Sequence, residues 1–158
     1  MSVSVKLKDN KTVKKMVDKL ESQASNYYKT VVNYAANEVR NQAILGIQTT
    51  PREGKVYKLK KKTKRGYRYK IHIASIPGNP PAIDTGRLVN SINYIVDVYT
   101  KGYAAEVFAS TKYAYWLEFG TTKKDGTTKM AARPFMQPAL ESSKQKILDK
   151  ARKFKYKR

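Results

Sequence analysis

Asn10–Lys11–Thr12 leads into a long region that holds neither proline nor glycine and closes at Gly46. Apolar residues within it fall at Val13, Met16, Val17, Leu20, Ala24, Tyr27, Tyr28, Val31, Ala35, Val39, Ala43 and Ile47. Steps of three and four mark one face of a helix, because 3.6 residues complete each turn. At 1.5 Å per residue, about 36 residues span on the order of 50 Å, more than a domain of ordinary size needs. The helix is therefore expected either to bend near Ser22–Ser25 or to pack its first turns on something outside the domain. Thr49–Thr50–Pro51 ends it.

Shorter elements follow. Val56–Lys60 and Tyr67–Ala74 read as the arms of a β-hairpin around the loop Lys61–Gly66, with Gly66 at positive φ. Tyr67, Tyr69, Ile71 and Ile73 alternate with Arg68, Lys70, His72 and Ala74, a period of two that gives the second arm one apolar face. The segment 55–74 is expected to protrude, aromatic near its base and cationic at its end. Ile76–Ile83, with three prolines, is an extended connector. Asp84 or Thr85 then caps a short helix through Ile92. Strands Ile92–Tyr99 and Tyr103–Ala109 come next, with Ile92, Tyr94, Val96 and Val98 on one face of the first and Tyr103, Ala105 and Val107 on one face of the second. Lys112–Phe119 reads as a short helix closed by Gly120 with Trp116 in the core, although its apolar density also permits a strand, and Thr121–Met130 reads as a polar loop around Asp125–Gly126. Pro134 suits the first turn of a final helix whose core-facing stripe is Met136, Leu140, Ile147, Ala151 and Phe154. No internal repeat is visible. The expected fold is a single α+β domain over residues 1–158. It has a small antiparallel sheet, a long N-terminal helix, a C-terminal helix and a protruding basic β-hairpin.

The charge is extreme for 158 residues: 33 Lys+Arg against 12 Asp+Glu, a net +21. Residues 52–70 carry 10 basic groups and 1 acidic, and residues 144–158 carry 8 and 1, so the rest of the chain is close to balanced. Charges this dense repel, and each cluster stays solvated unless a polyanion or an acidic protein surface neutralises it. The candidate contact residues for DNA or a partner are Lys58, Lys60, Lys61, Lys62, Lys64, Arg65, Arg68 and Lys70 in the hairpin. In the basic C-terminal helix end or tail, 144–158, they are Lys153, Lys155, Lys157 and Arg158. Hairpin tyrosines interleaved with cations offer phosphate contacts and rings on which bases could stack. The plainer alternative is that the tyrosines cover the sheet and the lysines are merely solvated. Any nucleic-acid contact would be with the backbone, since no base-reading fingerprint accompanies the segment.

Other chemistry is scarce. The chain has no cysteine, so it has no disulfide frame, thiol nucleophile or Cys-based metal site, and its single histidine, His72, excludes any site that needs two. His72 lies on the polar side of a hairpin arm and reads as a surface residue. No HExxH, DxDxDG, P-loop, GxGxxG or GxSxG pattern is present, so no catalytic residue, metal or cofactor is expected. No stretch is long and apolar enough for a membrane span, and the N-terminal residues lack a signal-peptide core, so folding in a cytoplasm is expected.

Three segments carry a family resemblance: DTGRLVNSI (Asp84–Ile92), YAYWLEFGTT (Tyr113–Thr122) and ARPFMQPAL (Ala132–Leu140). In this order, with a strand pair between the first two, they resemble the small tail-completion, or head–tail joining, proteins of long-tailed bacteriophages, often described as neck or minor tail components. The resemblance implies a non-enzymatic virion protein assembled in the host cytoplasm. It would form a homo-oligomeric ring, expected as a hexamer, at the head–tail junction, between the connector or adaptor and the tail-tube or terminator proteins. Packaged DNA is a further candidate partner. Carried onto this chain, Thr85, Gly86, Leu88 and Ser91 form a turn and short helix. Tyr113, Ala114, Glu118, Gly120 and Thr121 form the next motif, and Arg133, Pro134, Phe135, Pro138, Ala139 and Leu140 the entry to the last helix. These are expected to define the fold, with Glu118 and Arg133 as polar subunit contacts. The basic hairpin and tail go beyond the motif core. The alternative from another class is a sequence-independent nucleic-acid-binding basic protein; a lysine- and carboxylate-dependent nuclease is a more distant one.

Overall fold

The structure is a computed structural model that describes residues 11–100 and 102–153. Helix α1 (Lys11–Thr49) runs for 39 residues without interruption at Ser22–Ser25. At about 1.5 Å per residue it reaches nearly 60 Å, and only its later part is covered. Lys11 and Val13–Ser22 are exposed, whereas Ala36, Val39, Ala43 and Ile47 are buried.

Strands β1 (Val56–Thr63) and β2 (Gly66–Ile73) form the hairpin. After the connector come helix α2 (Arg87–Asn90), strands β3 (Ile92–Tyr99) and β4 (Gly102–Ala109), and helix α3 (Ala114–Phe119). A short ribbon, β5 (Thr121–Thr122) and β6 (Thr128–Met130), precedes the last helix, α4 (Met136–Ala151). The fold is α+β as the sequence implies, but its strands form three separate two-stranded antiparallel ladders in place of one sheet.

The core gathers around the second half of α1. Val39, Ala43 and Ile47 meet Leu88 and Val89 of α2, Ile92 of β3, Ala114 of α3, and Phe135 and Ala139 at the start of α4. Helix α4 runs antiparallel to α1. Near its middle Lys146 Nζ lies 2.5 Å from Glu38 Oε1, and near its end the Lys150 carbonyl accepts the hydroxyl of Tyr27. The β3–β4 ladder packs on another side of α1, with Tyr103 and Ser25 hydroxyls 2.8 Å apart and Arg40 Nε donating to the Ile92 carbonyl at 2.9 Å. The register pairs Ile92 with Ala109, Tyr94 with Val107, Val96 with Ala105 and Val98 with Tyr103, so both predicted strand faces are one continuous face.

Several expectations need correction. The first hairpin arm is longer than the sequence suggests, and the second is shifted by one residue, to Gly66–Ile73. Lys61 and Lys62 lie in β1, and the turn is the two-residue Lys64–Arg65, closed by pairing of Thr63 with Gly66. Gly66, the first residue after the turn, has a positive φ (119°), as the sequence suggests, and Thr63 Oγ1 donates to its carbonyl at 3.1 Å. Helix α2 stops at Asn90; Gly86 holds its N-cap position, Thr85 Oγ1 lies 3.5 Å from its first amide, Arg87 N, and Asp84 is held by Lys70 instead. Thr121–Met130 is a ribbon and not a loop; Asp125 Oδ1 accepts both the amide (2.9 Å) and hydroxyl (2.6 Å) of Thr127, which closes its turn. Helix α4 begins after Phe135, so Pro138 occupies its first turn and Pro134 lies outside it. Its buried side is Met136, Ala139, Ser143 and Ile147, while Leu140 and Ala151 are exposed; Phe154 lies outside the described residues. Trp116 is also exposed, at 53%, and not a core residue.

Candidate functional site

Beyond its base, the hairpin has no layer packed on it among the described residues. Its register places Lys58 opposite Ile71, Lys60 opposite Tyr69 and Lys62 opposite Tyr67. Opposed residues share a face, so cations and apolar side chains are mixed on one side. Tyr67, Tyr69 and Ile71, the anticipated apolar stripe, face solvent at 57%, 66% and 62% exposure. Lys60 Nζ sits 3.9 Å above the Tyr67 ring, a cation–π contact that already covers that ring. The opposite face pairs Tyr57 with His72, whose rings stack at 6.2 Å, and Lys61 with Arg68. Tyr57, Leu59 and His72 line a hollow against Ala74, Pro81, Leu117 and Arg133, so the hairpin meets the body through this face at its base. His72 is thus half-buried and not a surface residue.

The base is also tied by hydrogen bonds. Gly54 N donates to Ala74 O at 2.8 Å, and Ala74 N to Lys55 O at 3.1 Å. Asp84 Oδ1 lies 2.6 Å from Lys70 Nζ and 3.7 Å from His72 Nδ1. The bond from Lys70 holds the Asp84 carboxyl below its ordinary range, with the nearby positive charges of Lys70, His72 and Arg52 acting in the same direction. Among the described residues, Lys70 is the one candidate hairpin cation with a carboxylate in ion-pair reach; Lys58, Lys60, Lys61, Lys62, Lys64, Arg65 and Arg68 are exposed without one. Lys153 is exposed just past α4, and Lys155, Lys157 and Arg158 lie outside the described residues.

The motif residues converge on the body. Leu88 is in the core, Ser91 Oγ donates to the Leu88 carbonyl at 2.7 Å, Tyr113 packs against the core, and Thr85 Oγ1 lies 3.5 Å from the Arg87 amide. The second and third motifs join at Glu118. Its carboxylate accepts the amides of Phe135 (2.8 Å), Met136 (3.0 Å) and Gln137 (3.0 Å), which caps α4 from a different element. Gly120 (φ 74°) turns the chain so tightly that a Cβ there would lie 2.7 Å from the Met130 carbonyl oxygen. Arg133 is buried; its Nε and Nη2 reach the Ser75 carbonyl at 3.3 and 3.2 Å, and its own amide donates to Leu117 O. Pro134 and the buried Phe135 lead from it into α4. Glu118 and Arg133 are both committed inside the subunit.

One feature escaped the sequence reading. Strand β4 and helix α4 both pack on α1, and an open cleft of about 840 Å³ lies between them. Val32, Ala35, Ala36 and Val39 of α1 form its floor, Tyr103–Ala109 one wall, and Met136, Leu140 and Ile147 the other; Tyr115, Glu118 and Phe119 close one end. No lysine or arginine lines it, in a chain with 33 of them. The signal was the small, neutral run at Ala104–Ala105 facing Ala35–Ala36, but only the fold brings those segments together. Among the described residues no group of three or more His, Asp or Glu could hold a metal, and no helix is long and apolar enough to cross a membrane.

The prominent surfaces of this α+β fold are a cationic ribbon and a cation-free apolar cleft. The family model described as "Bacteriophage HK97-gp10, putative tail-component" matches residues 11–120, from the start of α1 through Gly120, and the chain belongs to that family. It is a bacteriophage tail component, and the third motif lies beyond the matched region. No curated protein and no solved structure matches the chain.

Proposed function

We propose that this tail component is a non-enzymatic virion protein that assembles, as one domain per subunit, into a hexameric ring at the head–tail junction, joining the connector to the tail tube. The single observation that carries the reading beyond the family is the β1–β2 ribbon: exposed cations without carboxylate partners, extended from a body that is otherwise nearly balanced in charge. Ring closure repeats the ribbon once per subunit and turns it into a belt of positive charge. Such a belt meets a polyanion, and Lys58, Lys60, Lys61, Lys62, Lys64, Arg65 and Arg68 are the residues we assign to that contact, with Lys70 holding the base. The C-terminal cations, Lys153 with Lys155, Lys157 and Arg158, are assigned to an acidic neighbour in the virion, where complementary charge speeds assembly and fixes which face docks.

Mass photometry of the chain with its connector and tail-tube neighbours tests the ring. An assembly of about six subunits is expected; a persistent monomer that retards any duplex DNA and ignores virion proteins would favour the nucleic-acid-binding alternative. Changing Lys60, Lys61, Lys62, Lys64 and Arg65 to Ser should leave folding intact and block production of infectious particles. Binding of the parent chain to DNA that weakens steeply with salt, and is lost in this variant, identifies phosphate as the belt's partner. Absence of DNA binding at low salt assigns the belt to an acidic protein surface.

A further inference from the structure

Two exposed apolar surfaces have no cover among the described residues. The first is the start of α1, where Val13, Met16, Val17 and Leu20 are 55%, 58%, 44% and 40% exposed. They stand at positions i, i+3, i+4 and i+7, the spacing by which a helix anchors itself in a groove. The second is the cleft between β4 and α4. The two cannot meet within one molecule: α1 is a continuous helix, and its own Val32–Val39 segment is the cleft floor, so its first turns are held about 18 Å or more along the same axis.

The geometry points to a second copy of this chain as the occupant: the exposed first turns of α1 of one subunit dock in the β4–α4 cleft of its neighbour. Charge supports the pairing. Lys14 and Lys19 stand at the two edges of the apolar stripe by helical spacing. The cleft offers no cation to repel them, and Glu106 stands on its β4 wall. Strand β4 alone offers about 20 Å of wall, enough for the two turns from Val13 to Leu20. The contact is heterologous, arm of one copy to cleft of the next, which is the kind that closes into a ring. This inference rests on the ring reading and supplies its mating surfaces.

The absence of cysteine in the chain makes the test direct. A Met16→Cys chain is mixed with a Leu140→Cys chain, and separately with a Phe119→Cys chain, under mild oxidation; Leu140 and Phe119 are exposed cleft residues, 52% and 67%. A mixed disulfide dimer is expected with at least one of the two. Adding Leu20→Asp to the Met16→Cys chain should cut its yield at least tenfold, with an unchanged circular dichroism melt because Leu20 lies on the surface. No mixed disulfide, or a dominant Met16→Cys homodimer from arm-to-arm pairing, overturns the inference, since the cleft then takes something else. Oligomer mass judges the ring separately. A parent chain that forms rings without the mixed disulfide sinks only this docking mode. Mixed disulfides in a chain that stops at dimers keep the docking and sink the ring.

Discussion

Glu118 shows how a surface-coded acidic residue becomes a structural keystone. Three consecutive amides at the start of α4 point at one carboxylate that belongs to α3, so a single side chain satisfies most of the donors that a helix start leaves open. Glu118→Ala should lower unfolding free energy by about 1–2 kcal/mol in urea titrations, and Glu118→Gln, which keeps one acceptor oxygen, by less. A different ion pair fixes the α1–α4 contact. The hydrogen bond from Lys146, helped by Gln42, pulls Glu38 below its ordinary value of 4.5. A carboxyl whose folded value is depressed stabilises the protein fully above its unfolded value and ceases to do so as acid titrates it in the folded state. Stability should therefore fall as pH drops below about 4.5, and Glu38→Gln should flatten part of that fall in pH-dependent melts. Neither residue advertises these roles in the sequence. Glu118 lay within a motif and Glu38 within a helical face, but which amide or amine each would meet depends on contacts across 17 or more positions of chain.

Among the elements, periodicity was the most legible signal. The unbroken α1, both strands of the β3–β4 ladder and the helix closed by Gly120 follow from spacing alone, because each buries one side against α1 or the core. The errors share a cause. Leu140 was placed on the inward stripe of α4, whereas its buried side is marked by the small Ala139 and Ser143. Trp116 was placed in the core yet is exposed, and the Tyr67–Tyr69–Ile71 stripe, read as one apolar face of a protruding hairpin, is exposed too, since alternation fixes which residues share a face and not whether anything covers it. The hairpin's cations follow the same logic. Replacing Lys60, Lys61, Lys62, Lys64 and Arg65 with Ser removes mutual repulsion without removing any ion pair of the described residues. The thermal midpoint of that variant at low salt should match or exceed the parent's, and the difference should shrink at high salt. A lower midpoint in calorimetry would show that these side chains support the fold.

For the molecule as a whole, charge outweighs everything else that composition offers. A net +21 on 158 residues disfavours close packing through long-range repulsion, which dissolved ions screen within about 8 Å at physiological strength. The midpoint of thermal unfolding should rise by several degrees between about 10 and 150 mM NaCl and then level off. Constancy across that range would mean that the two basic clusters lie too far from the body to strain it. The architecture was readable at this scale as α+β. The division into three separate ladders was not, because strand number says nothing of which edges pair, and the cleft arises only where the fold sets β4 and α4 side by side on one helix.

Those separate ladders bear on how the subunit could sit between unequal neighbours. A continuous sheet transmits a twist at one edge to every strand, whereas here the β1–β2 ribbon joins the rest through a short base near Gly54, Ala74 and Asp84. None of the ribbon's residues belongs to the core around α1. In the proposed ring, the direction of each ribbon would then be set by its base and not by the core, so a circle of identical chains could meet a surface that does not share its symmetry.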